Sequence, residues 1–271
     1  IKNIQVPWAG KHSRFTLLFE TFVVAVLKAC QSTDEVSRLL RLNWHQIDAI
    51  KKRAVQRGLA RRGKEEIAWI GIDEKSFLKG QRYVSVLTDI DGARVLDVVE
   101  NRDEEACARL VKQGLSAYQR KMVCGVAMDM SDAYIRSAKR WLPHADIVHD
   151  HFHISMHLNE AVDHIRRQEH RALQKNNDKR LAGTRFLWLR GFEHMSEADK
   201  ASFAYLRRSS LKVAKAWSFK EMFNHFWTLS GADSAARFFG RWFDEVTQSG
   251  LGPMRKVAHT IRRRLANVLT Y

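Results

Sequence analysis

Ile67-Ala68-Trp69-Ile70-Gly71-Ile72-Asp73 is a continuous apolar run that stops at a carboxylate. It shows neither the 3.6-residue period of a surface helix nor the alternation of a half-exposed strand. It therefore predicts a strand, Ile67–Ile72, buried on both faces. Tyr83–Thr88 and Arg94–Val99 predict two more strands, joined across Asp91-Gly92, a strong hairpin signal. A helix follows with Asp103 as its N-cap, Glu104 and Glu105 matching its dipole, and Cys107, Leu110, Val111 and Leu115 as its buried stripe. Val123–Met128 predicts a fourth strand, Ser131 to Trp141 a helix, and Ala145–His149 a short fifth strand.

The order βββαβαβ is the core order of the ribonuclease-H-like fold, although other mixed α/β folds share parts of it. If the first and fourth strands are neighbours, Asp73 and Asp129, each at a predicted strand end, converge on one point. Carboxylate oxygens are hard ligands suited to Mg²⁺ or Mn²⁺, and a shared Asp bridges two ions about 4 Å apart. Each residue also suits a turn or a helix cap, Asp129 for the helix near Ser131. Four histidines follow, His149, His151, His153 and His157. Their spacing suits a zinc site, but also second-sphere support of carboxylates or packing on helix faces. Asp150 and His153, at DxxH spacing after the fifth strand, are expected beside the metal site as supporting residues.

Upstream, residues 1–64 are helical in pattern and basic. Phe15, Phe19, Phe22, Val23, Val26 and Leu27 recur at helical spacing. Ser32 with Glu35 predicts a capping box opening a short helix through Leu40, and Asn43 with Gln46 another, opening a third helix to about Arg57 with Gly58 as its stop. Trp44, Ile47, Ile50 and Ala54 line one face of this third helix. His45, Gln46, Lys51, Lys52, Arg53 and Arg57 point elsewhere, and the run from Lys51 to Lys64, with Arg61 and Arg62, holds seven basic residues. Two short helices, a tight turn and a basic second helix are the parts of a helix-turn-helix, so these side chains are the expected DNA contacts.

Downstream of His149 the strand signal ends. Ile154, Leu158, Val162 and Ile165 begin a long helix, with Trp188, Trp217, Trp227 and Trp242 expected as core anchors of a helical subdomain. The domain reading is thus 1–64 helix-turn-helix, 65–150 α/β core and 151–271 helical subdomain. The 271-residue chain carries 46 Lys and Arg against 30 Asp and Glu, a net charge of +16. That excess favours a polyanion, since each neutralised phosphate releases counterions. No run approaches the 18 or more apolar residues of a spanning helix, so no membrane partner is expected. Cys30, Cys107 and Cys124 form no CxxC pair, which fits a reducing, cytoplasmic setting.

These motifs together resemble the ISL3 family of bacterial insertion-sequence transposases, over nearly the whole chain. The resemblance rests on Val6-Pro7-Trp8-Ala9 with Ser13-Arg14-Phe15-Thr16 and then Phe19-Glu20, on Ile70-Gly71-Ile72-Asp73-Glu74, and on Val126 to Tyr134. Most specific is Val148-His149-Asp150-His151-Phe152-His153-Ile154, followed by Leu158 to Asp163 and Arg166-Arg167. It implies a DDE nuclease in which Asp73 and Asp129 are the first two acids, holding two Mg²⁺ or Mn²⁺ ions, and Asp150 and His153 match a DxxH element. It further implies cleavage of double-stranded DNA at transposon terminal repeats and joining to target DNA, by a homo-oligomer assembled on DNA. The family's cysteine-rich start and its final Glu motif have no match here, and position 1 is Ile. The expectation is therefore a fragment whose third carboxylate lies beyond Tyr271. The alternative is a non-enzymatic, truncated DNA binder that blocks the full enzyme. A zinc hydrolase built on the histidines is a third reading.

Overall fold

The apolar run ending at Ile72 lies at the centre of a five-stranded sheet. In the computed structural model, which describes residues 6–10, 13–30, 32–63, 65–78 and 82–270, the strands are β1 (Trp69–Leu78), β2 (Arg82–Asp89), β3 (Arg94–Glu100), β4 (Gly125–Met128) and β5 (Asp146–His149). Their order is β3-β2-β1-β4-β5. β1, β2 and β3 form an antiparallel meander, while β4 and β5 run parallel to β1. This is the ribonuclease-H-like arrangement expected from the sequence.

Three details differ from expectation. β1 is longer than Ile67–Ile72, because β2 supplies hydrogen-bond partners after β4 has ended. The parallel ladder stops at Ile72–Met128, while the antiparallel one continues past Asp73–Val86. Asp73 thus lies within β1, at the end of its pairing with β4 rather than at the end of the strand. The expected burial on both faces is not met: Ile70 and Ile72 bury one face of β1, while on the other Asp73 is exposed and so is Trp69, whose indole lies against Gly125. An additional helix, α5 (Ala117–Met122), precedes β4, opened by a Ser116–Gln119 capping box.

One core packs this sheet against α4 (Glu104–Gly114) and α6 (Asp132–Trp141), joining Ile70, Ile72, Leu87, Val126 and Met128 to Leu110, Val111, Tyr134 and Ile135. A second core fills the helical half: α7 (His151–Gln174), α8 (Arg185–Leu189), α9 (Glu197–Arg207), α10 (Lys212–Asn224), α11 (Ala232–Gln248), α12 (Gly252–Arg263) and α13 (Leu265–Leu269). Trp188, Trp217 and Trp242 are buried in it, whereas Trp227 is only partly buried. The chain then returns to the sheet. Asn267 on α13 donates to the Ile147 carbonyl of β5 at 2.9 Å, and Arg264 pairs with Asp132 at the start of α6. Residues 66–271 therefore form one compact unit and residues 1–65 another. No described helix is long and apolar enough to cross a membrane.

The N-terminal unit holds α1 (Leu17–Cys30), α2 (Thr33–Leu40) and α3 (Trp44–Ala60) around Val23, Val36, Leu42, Ile47 and Ile50. Arg41, at φ 52°, makes the tight turn between α2 and α3. The Asn43–Gln46 capping box forms as expected. The Ser32–Glu35 box does not, since Ser32 is the N-cap but its side chain makes no capping bond. Gly58 does not stop α3, which continues to Ala60 and ends on Arg61 in a right-handed conformation. Trp44, expected on the inner face, is 54% exposed, because the first residue of α3 projects past the small core.

Candidate active site and nucleic-acid interface

Three aspartates follow a row of paired residues. Ile72 on β1 is the register partner of Met128 on β4, which is in turn the partner of His149 on β5. The residue after each is an aspartate: Asp73, Asp129 and Asp150. Neighbouring strands lie about 5 Å apart, so the row sets three carboxyl-bearing positions side by side along one edge of the sheet. Side chains alternate along a strand. With Ile70, Ile72, Val126 and Met128 in the core, Gly71, Asp73 and Ala127 fall on the other face.

Small residues keep that face open. Gly71 and Ala127 are register partners two residues before Asp73 and Asp129, and a Cβ on Gly71 would press into the Thr88 hydroxyl. A cavity of about 240 Å³ results, walled by Asp73, Asp150 and His153 above Gly71, Ala127 and Thr88. Asp129 does not line this cavity.

Each carboxylate is oriented by backbone. Asp73 Oδ1 accepts from the Glu74 amide at 2.7 Å, Asp129 Oδ1 from Ser131 at 2.9 Å, and Asp150 Oδ1 from Phe152 at 2.9 Å, capping α7. Capping and ligation do not compete, because a carboxylate has two oxygens and about four lone-pair sites. The Asp73 side chain is 69% exposed, and His153 Nε2 lies 3.8 Å from its Oδ1.

The four histidines go to four different places. His153 faces Asp73, and His157 Nδ1 lies 3.4 Å from Glu160 Oε2. His151 packs its ring on Trp227 at 4.5 Å between centroids, and burial holds its pKa below the ordinary value. His149 is fully buried with Nδ1 3.2 Å from the Met128 carbonyl, and burial lowers its pKa too. Among the described residues, no three His, Cys, Asp or Glu side chains are arranged to hold a metal ion. The zinc-hydrolase reading required the histidines to converge, and they do not.

In the N-terminal unit the expected DNA contacts divide into two sets. Lys51 and Lys52 lie on the exposed side of α3, near Asp48 at 4.0 and 2.8 Å. His45 sits edge-on to the exposed Trp44. Gln46 uses its side chain to cap α3. Arg61 is exposed just past the helix, Arg62 is half-buried, and Lys64 lies outside the described residues. Arg53 and Arg57, by contrast, turn toward Glu20 of α1. Glu20 is fully buried, with Arg53 Nη2 and Arg57 Nη1 each 2.6 Å from it and the Ser13 hydroxyl at 2.9 Å. The pairing of Glu20 is not legible in the sequence, because its partners lie 33 and 37 positions away.

Comparison with known proteins fits both units. Residues 70–271 match the DDE transposase model of the ISL3 family, described as a transposase, and residues 4–55 match the helix-turn-helix domain of transposase family ISL3. The transposase for insertion sequence element IS1001 of Bordetella parapertussis is 23% identical over 270 residues, covering 98% of this chain and 66% of that protein. The transposase for insertion sequence element IS1557 of Mycobacterium tuberculosis is 25% identical over 284 residues, covering 96% of this chain and 63% of that protein. The chain thus spans just under two thirds of the length of these curated relatives. With both of its units matched in chain order, the chain belongs to the ISL3 family of transposases.

Proposed function

We propose that this chain carries the end-binding and catalytic parts of an insertion-sequence transposase, acting on double-stranded DNA by metal-dependent cleavage and strand transfer. The observation that carries the reading is the aligned row of Asp73, Asp129 and Asp150 after the paired Ile72, Met128 and His149. Asp73 and Asp129 are the proposed metal ligands, with Asp150 and His153 in support. Their chemistry fits the hard divalent ions Mg²⁺ and Mn²⁺: oxygen donors, solvent access at Asp73, and carboxylates oriented by backbone amides. Ions bound there supply charge stabilisation to the attacking and leaving oxygens of a phosphodiester. The protein's share is orientation. The Glu74 and Ser131 amides fix one oxygen of each carboxylate, and His153 closes the side of the cavity toward α7.

We further propose that α3 enters the DNA interface with His45, Lys51, Lys52, Arg61 and Arg62. Gln46, Arg53 and Arg57 serve mainly to hold the helix in place. Homo-oligomeric assembly on DNA and the division of residues 66–271 into a nuclease core through Asp150 and a helical insertion belong to the same proposal. The test is Mn²⁺ titration by calorimetry together with nicking of supercoiled plasmid, comparing the chain with Asp73→Asn and Asp129→Asn. Both variants should bind Mn²⁺ at least tenfold more weakly. Unchanged Mn²⁺ affinity in Asp73→Asn would remove the metal site from this edge.

A further inference from the structure

A cavity of about 600 Å³ lies against α7 beside the aspartate row, and the proposed chemistry makes no use of it. It occupies a stripe of α7 that runs through Phe152, Met156, Asp163 and Arg167, closed on the other side by Arg185 and Leu189 of α8. At 100° per residue this stripe adjoins the position of His153, so the first turn of α7 separates the two cavities. A volume of this size is within the usual range for small organic ligands.

The walls combine an exposed apolar patch with a cationic cluster. Phe152 is 67% exposed, in the first turn of the helix that Asp150 caps, and Met156 one turn later is also exposed. Further along, Asp163 is faced by three guanidinium groups: Arg166 at 2.8 Å, Arg167 at 3.3 Å and Arg185 at 3.7 Å. One carboxylate among three arginines leaves a net positive field, even with Glu160 on the rim beside His157. More than half of the Arg167 and Arg185 side chains remains exposed. Seven residues at 1.5 Å rise put this cationic end about 10 Å from Met156.

A duplex offers phosphates to a protein surface and hides the faces of its bases. An exposed aromatic ring beside arginines has little to gain from it. An unpaired strand offers both a phosphate and a stacking face. We propose that this cavity takes a short unpaired stretch of the DNA strand engaged at the Asp73 edge. A base lies against Phe152 and Met156, and a backbone phosphate lies on Arg167 and Arg185. The inference rests on the DNA-cleaving reading of that edge, and it adds a site for strand ends that have left the duplex.

The test uses the whole chain, without divalent metal, and fluorescence anisotropy on three probes: a blunt duplex, the same duplex with a short single-stranded extension, and that extension made abasic. The extension should tighten binding about tenfold, the gain of one stacked base, and the abasic form should lose most of it. Phe152→Ala should erase the gain while leaving blunt-duplex affinity unchanged, and Arg185→Ala should reduce it. Tyr205→Ala, which removes an equally exposed ring on α9 outside the cavity, should retain it. Equal affinity for blunt and extended duplexes, or a gain that survives Phe152→Ala, overturns the proposal alone. Absence of binding to any of the probes overturns the underlying DNA reading with it.

Discussion

Glu20 is a charge fully buried in a three-helix unit, and it couples the first helix to the third. Burial pushes its pKa up, but hydrogen bonds from Arg53, Arg57 and Ser13 outweigh that, and the net shift is downward from the ordinary glutamate value. A carboxyl whose folded pKa is depressed contributes stability that is complete above its unfolded value and lost as pH falls through the folded one. The N-terminal unit should therefore hold its stability through neutral pH and lose it at pH below about 4.5, where an ordinary glutamate titrates. Removing one partner of a buried pair costs several kcal/mol, moderated here because both arginines keep some contact with water. Glu20→Ala should cost about 3 kcal/mol and lower the melting temperature of a unit this small by more than about 10 °C. Arg53→Ala should likewise show up in thermal melts. Lys51→Ala with Lys52→Ala should leave the melting temperature unchanged and reduce the salt slope of DNA binding by about 1 to 2. A stable Arg53→Ala variant with a strongly reduced slope would return Arg53 to the DNA interface.

At the level of elements, α8 shows how a short helix is fixed by a residue far along the chain. Lys220 of α10 is buried, and its Nζ lies 3.2 to 3.4 Å from the carbonyls of Trp188, Leu189 and Arg190. These are carbonyls at the end of α8, where a helix lacks its own donors and favours a cation. Burial lowers the Lys220 pKa, with Glu221 pulling it back up. The linked stability therefore rises with pH toward the ordinary lysine range and is smaller at neutrality. Lys220→Met should still destabilise residues 66–271 by about 2 kcal/mol, because the carbonyls lose their donor, and lower melting by about 4 to 8 °C. An unchanged melting temperature would mean that water replaces the ammonium at no cost. Contacts of this kind are not legible in sequence, as nothing near Lys220 marks it as a cap. Local devices were legible: Asn43 with Gln46, Asp103 before its helix, and Asp91-Gly92 between strands. Local pattern also has limits. Ser32 with Glu35 carries the same signal as Asn43 with Gln46 and forms no capping bond, whereas the Ser116–Gln119 box forms one that was not anticipated. The positions of Asp73 and Asp129 could be read because each ends an apolar run. The register that aligns them with Asp150, and the divergence of the histidines, depend on pairing between distant strands and on the direction in which α7 leaves the sheet.

At the scale of the whole molecule, the question is how many pieces unfold independently. The sheet and the helical half have separate hydrophobic cores, which by itself would suggest two domains beyond residue 65. Their connections suggest one. β5 ends at His149 and α7 begins at His151, so Asp150 alone separates strand from helix. At the other end of the chain, Asn267 binds the Ile147 carbonyl and Arg264 pairs with Asp132, tying α13 to β5 and α6. A cooperative unit forms when opening one part exposes buried surface or polar groups of the other. That condition is met at both junctions within residues 66–271. Scanning calorimetry of the whole chain should therefore resolve two transitions, one for residues 1–65 and one for 66–271. Glu20→Ala should move only the first. Arg264→Ala combined with Asn267→Ala should lower only the second, since it frees the edge of β5 and breaks the tie to α6. Three transitions in the unmodified chain would show that the helical half unfolds apart from the sheet. A double variant that shifts nothing would show that the continuous strand-to-helix junction at Asp150 couples the two cores without help from α13.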